Sequence, residues 1–300
     1  MEALDPMNRI FLTGGTGFVG GRFIDLYHRK YDITALVRGG SIPGKEVRIA
    51  TGNLLDLDSL LSGTKGCDAI VHIGGATPNR AYAAGSFDAT TVGTRNLIAA
   101  ARAHGIRRFI FVSSLCVLFP KKGPYARSKI EAEGAVIHSG LEWTILRPDT
   151  ILGPGAKDLR RVLRHWKSAR HIPLLGDGNY TSQPIYVDDV CAALSAAVET
   201  PASAGRAISV AGKDLVPFNE FVQRFCRAIG NNRCRFVHIP KTVVHPLAWM
   251  ASAIHPQWGL NAERVNIITA SHAVDLSQMR ALLRVEPRSF EEAVSLTLDK

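Results

Sequence analysis

No stretch of the 300-residue chain reaches the about eighteen consecutive apolar residues of a membrane span. The first six residues, Met1 to Pro6, lack the basic and apolar regions of a secretion signal. Both observations lead us to expect a cytoplasmic protein. Cysteine is sparse: Cys67, Cys116, Cys191, Cys226 and Cys234 are odd in number and free of C-x-x-C spacing. That pattern suits reduced thiols and excludes a disulfide frame or a zinc site. None of the ten histidines forms an H-x-x-x-H or H-E-x-x-H pair, so no metal is expected. The net charge is +10, yet the chain has neither a basic tail nor a basic stripe interleaved with aromatics. The small clusters at Arg107-Arg108, Lys121-Lys122 and Arg160 to Arg170 do not make a nucleic-acid surface. Repeats, linkers and low-complexity segments are missing as well.

What is present begins with Thr13-Gly14-Gly15-Thr16-Gly17-Phe18-Val19-Gly20. It follows a short apolar strand, Arg9 to Leu12, and opens a helical pattern through Phe23, Ile24, Leu26 and Tyr27. Strand, glycine turn and helix together form a pyrophosphate cradle. Glycines let the backbone approach the ligand without a Cβ in the way. The helix N-terminus presents unpaired N–H groups and a partial positive charge to phosphates. Gly14, Thr16, Gly17, Phe18, Val19 and Gly20 are therefore expected to contact a dinucleotide.

Strands and helices alternate through the first half. Short runs rich in β-branched or aromatic residues occur at Ile33–Val37, Val47–Thr51, Ala69–Ile73, Arg108–Ser113 and Glu142–Leu146. Helical patterns lie near Phe18–Lys30, Asp56–Leu61, Phe87–His104 and Pro124–His138. The alternation predicts an α/β, Rossmann-type doubly wound parallel sheet of about seven strands, buried on both faces. After Pro148 comes an irregular polar stretch with one basic helical segment, Asp158–Ala169. A strand at Gln183–Val187, a helix at Asp188–Glu199 and a seventh strand at Ala207–Val210 follow. From Val216 the chain reads as mostly helical, with a short strand at Arg235–Ile239. The expected division is a dinucleotide-binding core over 1–150, a substrate-lobe insertion over 151–182, a return to the sheet over 183–212 and a mostly helical C-terminal substrate lobe over 213–300. The apolar run His245 to Ile254 is too short for a bilayer and reads as a core helix or pocket wall.

Pro124-Tyr125-Ala126-Arg127-Ser128-Lys129 carries the second chemical signal. Proline suits the first helical position. Tyr125 and Lys129, four apart, share one face of the helix. A free phenol is a poor base at neutral pH. A lysine ammonium one turn away, with an oxidised nicotinamide nearby, would favour the phenolate. Tyr125 could then exchange a proton with a substrate oxygen as hydride moves. Ser113 and Ser114 end the preceding strand, where ligands of open α/β sheets bind. A serine there can orient the reacting oxygen, and Ser114 is favoured of the two.

These features resemble the extended and atypical short-chain dehydrogenases/reductases, the relatives of NAD-dependent epimerases and dehydratases. The resemblance rests on Thr13–Gly20, Val71-His72-Ile73-Gly74-Gly75-Ala76 in place of the usual H-x-A-A, Val112-Ser113-Ser114, Tyr125-x-x-x-Lys129, Leu146-Arg147-Pro148 and Ile185-Tyr186-Val187-Asp188-Asp189-Val190. Glu286 to Glu292 looks like the family's closing turn and helix. The resemblance implies Tyr125 as acid/base, with Ser114 beside it. It implies that Lys129 binds the nicotinamide ribose and lowers the tyrosine pKa. Asn53, Leu54, Gly74, Gly75, Ala76, Pro148 and Ile151 join the implied cofactor contacts. It further implies an oxidoreductase acting on a secondary alcohol or ketone, most like a nucleotide-sugar epimerase or dehydratase. A homodimer is compatible with it.

Two departures favour an alternative, an NADP(H)-binding module with little or no turnover; a simple ketone or steroid reductase is a further alternative. Ser114 and Tyr125 are only eleven residues apart, a short loop similar to the branch near the nucleotide-binding accessory subunit of respiratory complex I. The usual Asn-Val-x-Gly-Thr segment reads Thr90-Thr91-Val92-Gly93-Thr94. For the cofactor we expect NADP, with NAD open. The second strand ends on Arg38, placed for a 2′-phosphate, whereas Asp32 sits at the wrong end for the ribose hydroxyls. The charge of +10 and Arg160, Arg161, Arg164, Lys167 and Arg170 point to an anionic small-molecule substrate such as a nucleotide sugar, with a solvated helix face as the plainer reading.

Overall fold

The computed structural model describes residues 8–42, 46–75, 87–240, 242–243 and 262–299. The expected sheet is there. Its strands are β1 (Arg9–Thr13), β2 (Asp32–Val37), β3 (Arg48–Thr51), β4 (Ala69–His72), β5 (Arg108–Val112), β6 (Glu142–Pro148) and a last strand, Arg206–Val210. They run in the order last strand, β6, β5, β4, β1, β2, β3, every neighbouring pair parallel. The order reverses between β1 and β4, and ligands of open parallel sheets bind at such a switch point, in the crevice outside the carboxyl ends.

Alternation along each strand sends side chains to two cores. Ile10, Leu12, Ile33, Ala35, Val71, Ile110 and Val112 share one cluster; Phe11, Leu36, Ile70, Phe109 and Phe111 share the other. The second core is completed by α2 (Leu57–Thr64), α3 (Asp88–Ala103) and α4 (Pro124–Ile137). The first is covered by α1 (Phe18–Tyr27) and by a helix over Val187–Glu199. Burial on both faces explains why β4 and β5 are apolar throughout their buried lengths, Arg108 and His72 apart.

Three expectations change. The strand expected over Gln183–Val187 shrinks to Ile185–Tyr186, which pairs with Ile151–Leu152 outside the main sheet. Pro184 donates no backbone hydrogen, and the helix already starts at Val187. The polar stretch before it holds an unexpected strand, His171–Leu175, paired in parallel with Arg235–Ile239. Ile172 and Leu174 are buried while His171 and Pro173 are exposed, a period-2 signal masked by the proline. Arg108, counted in a basic surface cluster, is 2% exposed. Its guanidinium donates to the carbonyls of Glu142 (2.7 Å) and Ala197 (3.1 Å) and to the hydroxyls of Thr144 and Ser203 (2.7 Å each). Burial lowers its pKa to about 10, against a smaller opposite effect of Glu142. The run His245 to Ile254 lies outside the described residues.

The two aspartates of Ile185-Tyr186-Val187-Asp188-Asp189-Val190 fasten the fold. Asp188 takes a bidentate pair from Arg22 of α1 at 2.6 and 2.8 Å. Asp189, 4% exposed, accepts the backbone N–H of Arg288 at 2.9 Å and pairs with its guanidinium. Arg288 leads into a helix over Phe290–Leu298, started by a capping box between Ser289 and Glu292.

Candidate active site

The glycine turn is built so that side chains cannot enter it. Gly14 has φ 80°, and a Cβ there would stand 2.8 Å from the Gly74 nitrogen. A Cβ on Gly20 would stand 2.2 Å from the Gly14 carbonyl oxygen. The N–H of Gly17 donates to that same carbonyl at 2.9 Å, closing the turn. Gly17 caps α1 without a side-chain hydrogen bond, and no acidic residue lies in the first turn. The N-terminal amides of α1 are thus left facing the crevice with Thr16 exposed beside them. Phe18 fills the space over Gly153 and Gly155, where a Cβ would come within 3.0 and 2.6 Å of its ring.

Beneath the turn runs a buried polar chain that reading the sequence did not foresee. The Gly74 N–H donates to Thr13 Oγ1 at 2.9 Å. Thr13 Oγ1 is 2.7 Å from His72 Nδ1, His72 Nε2 is 3.0 Å from Thr94 Oγ1, and Thr94 Oγ1 donates to the Thr90 carbonyl at 2.5 Å. A carbonyl accepts only, so Thr94 must accept from His72 Nε2–H. His72 Nδ1 then accepts from the Thr13 hydroxyl. Every group is satisfied by a neutral imidazole, and burial, aided by the Lys129 charge, lowers the His72 pKa to about 3. The chain joins the glycine turn to the start of α3 and holds Gly75 (φ 153°) where a Cβ would meet Thr90 Oγ1 at 3.1 Å and Lys129 Nζ at 3.9 Å.

At the carboxyl end of β5 the catalytic candidates meet. Ser114 caps a short 3-10 helix, Leu115–Leu118, its Oγ accepting the Cys116 N–H at 3.4 Å. The Ser114 side chain also lies close enough to Tyr125 to act on its phenol. Ser113, by contrast, is buried, and its hydroxyl has no hydrogen-bond partner among the described residues. Burial raises the Tyr125 pKa, the nearby Cys116 adds to the rise, and the neighbouring Ser114 side chain opposes it. The Lys129 ammonium donates to the Val112 carbonyl at 2.8 Å and sits 4.8 Å from the centre of the Phe111 ring. Burial lowers its pKa to about 8, with Cys116 and Glu133 working against the fall. One turn further along α4, Glu133 is held by a bidentate pair from Arg147 at 2.9 and 2.6 Å. Cys116 and Glu133 had no motif to mark them; only the i, i+4, i+8 spacing of Tyr125, Lys129 and Glu133 could have pointed to the second.

The remaining candidates lie on other elements. Arg38 is exposed directly after β2, and Asp32 at the other end of that strand is paired with Arg48 at 2.6 Å. Asn53 and Leu54 follow β3; the Asn53 side chain accepts the Leu55 N–H at 2.8 Å, and the Leu54 carbonyl accepts from Asn96 at 3.1 Å. Pro148 ends β6 buried, and Ile151 is half-buried in its two-residue strand. Ala76 lies outside the described residues. Arg160, Arg161, Arg164, Lys167 and Arg170 are exposed, and their segment buries Leu163 inward. Among the described residues no cluster of possible metal ligands occurs, and no helix is long and apolar enough to cross a membrane.

Comparison with known proteins agrees with this architecture. The sequence profile of the NAD dependent epimerase/dehydratase family matches residues 10–211. The 2-alkyl-3-oxoalkanoate reductase of Stenotrophomonas maltophilia is 30% identical over 278 residues, covering 82% of each chain. Subunit 9 of the NADH dehydrogenase [ubiquinone] 1 alpha subcomplex of Arabidopsis thaliana is 31% identical over 184 residues, 57% of this chain and 44% of its own. Among solved structures, MoeE5 in complex with UDP-glucose and NAD superposes with a TM-score of 0.77 over 97% of both chains at 20% identity, a likeness of fold.

Proposed function

Because the chain belongs to the NAD-dependent epimerase/dehydratase family, we propose that it is an NAD(P)-dependent short-chain oxidoreductase that interconverts a secondary alcohol and a ketone. The observation that carries the reading is the Tyr125 phenol beside Ser114 at the carboxyl end of β5, with Lys129 one turn further along the helix of Tyr125. The glycine turn admits no Cβ where a pyrophosphate backbone contact is needed, so the residues present fit a dinucleotide. When bound, the nicotinamide supplies or accepts hydride. Tyr125 Oη gives a proton to the ketone oxygen or takes it from the alcohol, and Ser114 Oγ orients that oxygen. The Lys129 ammonium, released from the Val112 carbonyl, holds ribose hydroxyls and favours the phenolate by its charge. Arg38 selects NADP through a charge-assisted contact with the 2′-phosphate. Segments 151–182 and 213–300 supply the substrate side.

For the substrate we favour a ketone on an apolar chain. Tyr125 joins an apolar cluster of Leu115, Cys116, Phe119 and Ala126 with Ile267, Ala270 and Val274, and the reductase of S. maltophilia acts, by its name, on an alkylated oxoalkanoate. A nucleotide sugar is the second reading, favoured by the fold shared with MoeE5. The test is a panel of oxoalkanoates, steroid ketones and nucleotide sugars with cofactor absorbance followed throughout. Stoichiometric cofactor consumption with an apolar ketone supports the first reading. Turnover of a nucleotide sugar without net absorbance change moves the protein to the epimerases and dehydratases. In calorimetric titrations Arg38→Ala is expected to lose the preference for NADP(H) while retaining NAD(H) binding; a wild-type protein that binds NAD(H) as tightly overturns the cofactor assignment.

A further inference from the structure

Within the segment 267–274, Ile267, Ala270 and Val274 form one wall of the apolar cluster of Leu115, Cys116, Phe119 and Ala126, against which Tyr125 also packs. Segment 267–274 is fastened to the segment around Thr181. The His272 N–H donates to the Thr181 carbonyl at 3.1 Å, the Thr181 N–H to Ser271 Oγ at 3.3 Å, and the Val274 N–H to the Gln183 side-chain oxygen. At the centre is His272, its ring 4.8 Å from that of Phe119. Its Nδ1 lies 2.9 Å from the Ala270 carbonyl oxygen and its Nε2 2.8 Å from Asp149 Oδ2. A carbonyl cannot donate. The Asp149 carboxylate, just past the end of β6, already accepts the N–H groups of Thr150 (2.6 Å) and Gln183 (2.7 Å) and acts as an acceptor throughout. A neutral imidazole has one N–H and serves one of these two acceptors. Both bonds exist together only in the imidazolium.

We propose that the charged imidazolium of His272 is the fastening of segment 267–274 over the substrate side of Tyr125, and that this wall loosens when His272 gives up its proton. The catalytic meaning of the wall rests on the function proposed above; the fastening itself does not. Among the described residues Asp149 is the charged group acting on His272, while Phe119 and Thr181 face it from the other elements and do not titrate. Burial alone would lower the His272 pKa, but the Asp149 hydrogen bond and charge outweigh it, and the value is raised. For Asp149 burial works toward a higher value and is outweighed by His272, Gln183 and Thr150, so the value is lowered. The contribution of His272 is therefore complete below the ordinary imidazole value of about 6.5 and lost as pH rises through the raised one. That of Asp149 is complete above the ordinary carboxylate value of about 3.9 and lost as pH falls through the lowered one.

Amide hydrogen exchange of the full chain at about pH 6 and about pH 9, corrected for intrinsic rates, reads the fastening without any substrate. Peptides spanning 267–274 are expected to lose roughly tenfold in protection at the higher pH, the worth of one charge-assisted hydrogen bond, while β5 peptides keep theirs. In His272→Gln the same peptides are expected to be weakly protected at both pH values. Unchanged wild-type protection across the range, or a variant as protected as wild type, overturns the proposal. If the variant fails to fold, the wild-type comparison decides alone. Absence of ketone turnover would leave this result standing and count against the function instead.

Discussion

At the scale of single residues, the site combines a phenol that burial keeps protonated with an ammonium that burial makes easy to lose. Tyr125 is the group expected to move a proton, and Tyr125→Phe removes one oxygen with little change in packing. Turnover is expected to fall at least about a hundredfold while cofactor affinity stays within a factor of a few. Steady-state rates on a substrate from the panel, with fluorescence titration of the cofactor, check both halves; near-wild-type turnover would remove Tyr125 from its role. Lys129 sets a pH dependence. With its pKa lowered to about 8, it carries its charge below that pH and loses it above. Affinity for the cofactor is accordingly expected to weaken as pH rises through about 8, because neutral lysine is a poorer partner for ribose hydroxyls. The same titration with Lys129→Met should show weaker binding and no such step. His72 offers the contrast of a titratable side chain taken out of titration: a one-way hydrogen-bond chain needs it neutral, and burial keeps it so.

At the scale of elements, the glycine turn is the least tolerant piece of chain. Adding one methyl at Gly20 puts a carbon 2.2 Å from the Gly14 carbonyl, which belongs to backbone and cannot swing away. Gly20→Ala is expected to abolish cofactor binding and to destabilise the fold by roughly 1–3 kcal/mol, as overpacking does. A titration showing wild-type affinity in this variant would mean that the turn does not hold the dinucleotide. This turn was legible in the sequence because its requirements are local: a strand, glycines at set spacings and a helix, all within a dozen or so residues. Tyr125 and Lys129 were legible for the same reason, through helical spacing. The hydrogen-bond chain through Thr13, His72, Thr94 and Thr90 was not, since its bonded neighbours lie up to 59 residues apart and meet only when β1 and β4 pair. The Asp149–His272 pair spans 123 residues and no periodicity announces it. The short strand His171–Leu175 was hidden because its partner, Arg235–Ile239, comes some sixty residues later and Pro173 interrupts the β signal.

At the scale of the whole molecule, the charge of the sequence is not the charge of the surface. Arg108 belongs to the interior, where it gathers β5, β6 and the segments at Ala197 and Ser203 around one guanidinium. Arg108→Met leaves several carbonyl and hydroxyl groups buried without a donor. It is expected to lower stability by roughly 3 kcal/mol or more, read as a shift of the urea midpoint. A shift within that of ordinary surface variants would show that water replaces the guanidinium. The cations of the helix Lys157–Ser168 and Arg38 stay exposed at the surface.

The two borders of the sheet bear on how copies of the chain meet in solution. Along the border strand β3, Arg48 is exposed and pairs with Asp32 of the neighbouring β2 at 2.6 Å. At the opposite border, Met279 and Leu283 from the helix Ser277–Leu283 share a core with Ile208 and Val210 of the last strand. An incoming strand would have to strip an ion pair at one side or dislodge a helix at the other. Extension of the sheet from molecule to molecule, the route by which parallel α/β proteins turn into fibres when concentrated, is thereby obstructed at both ends.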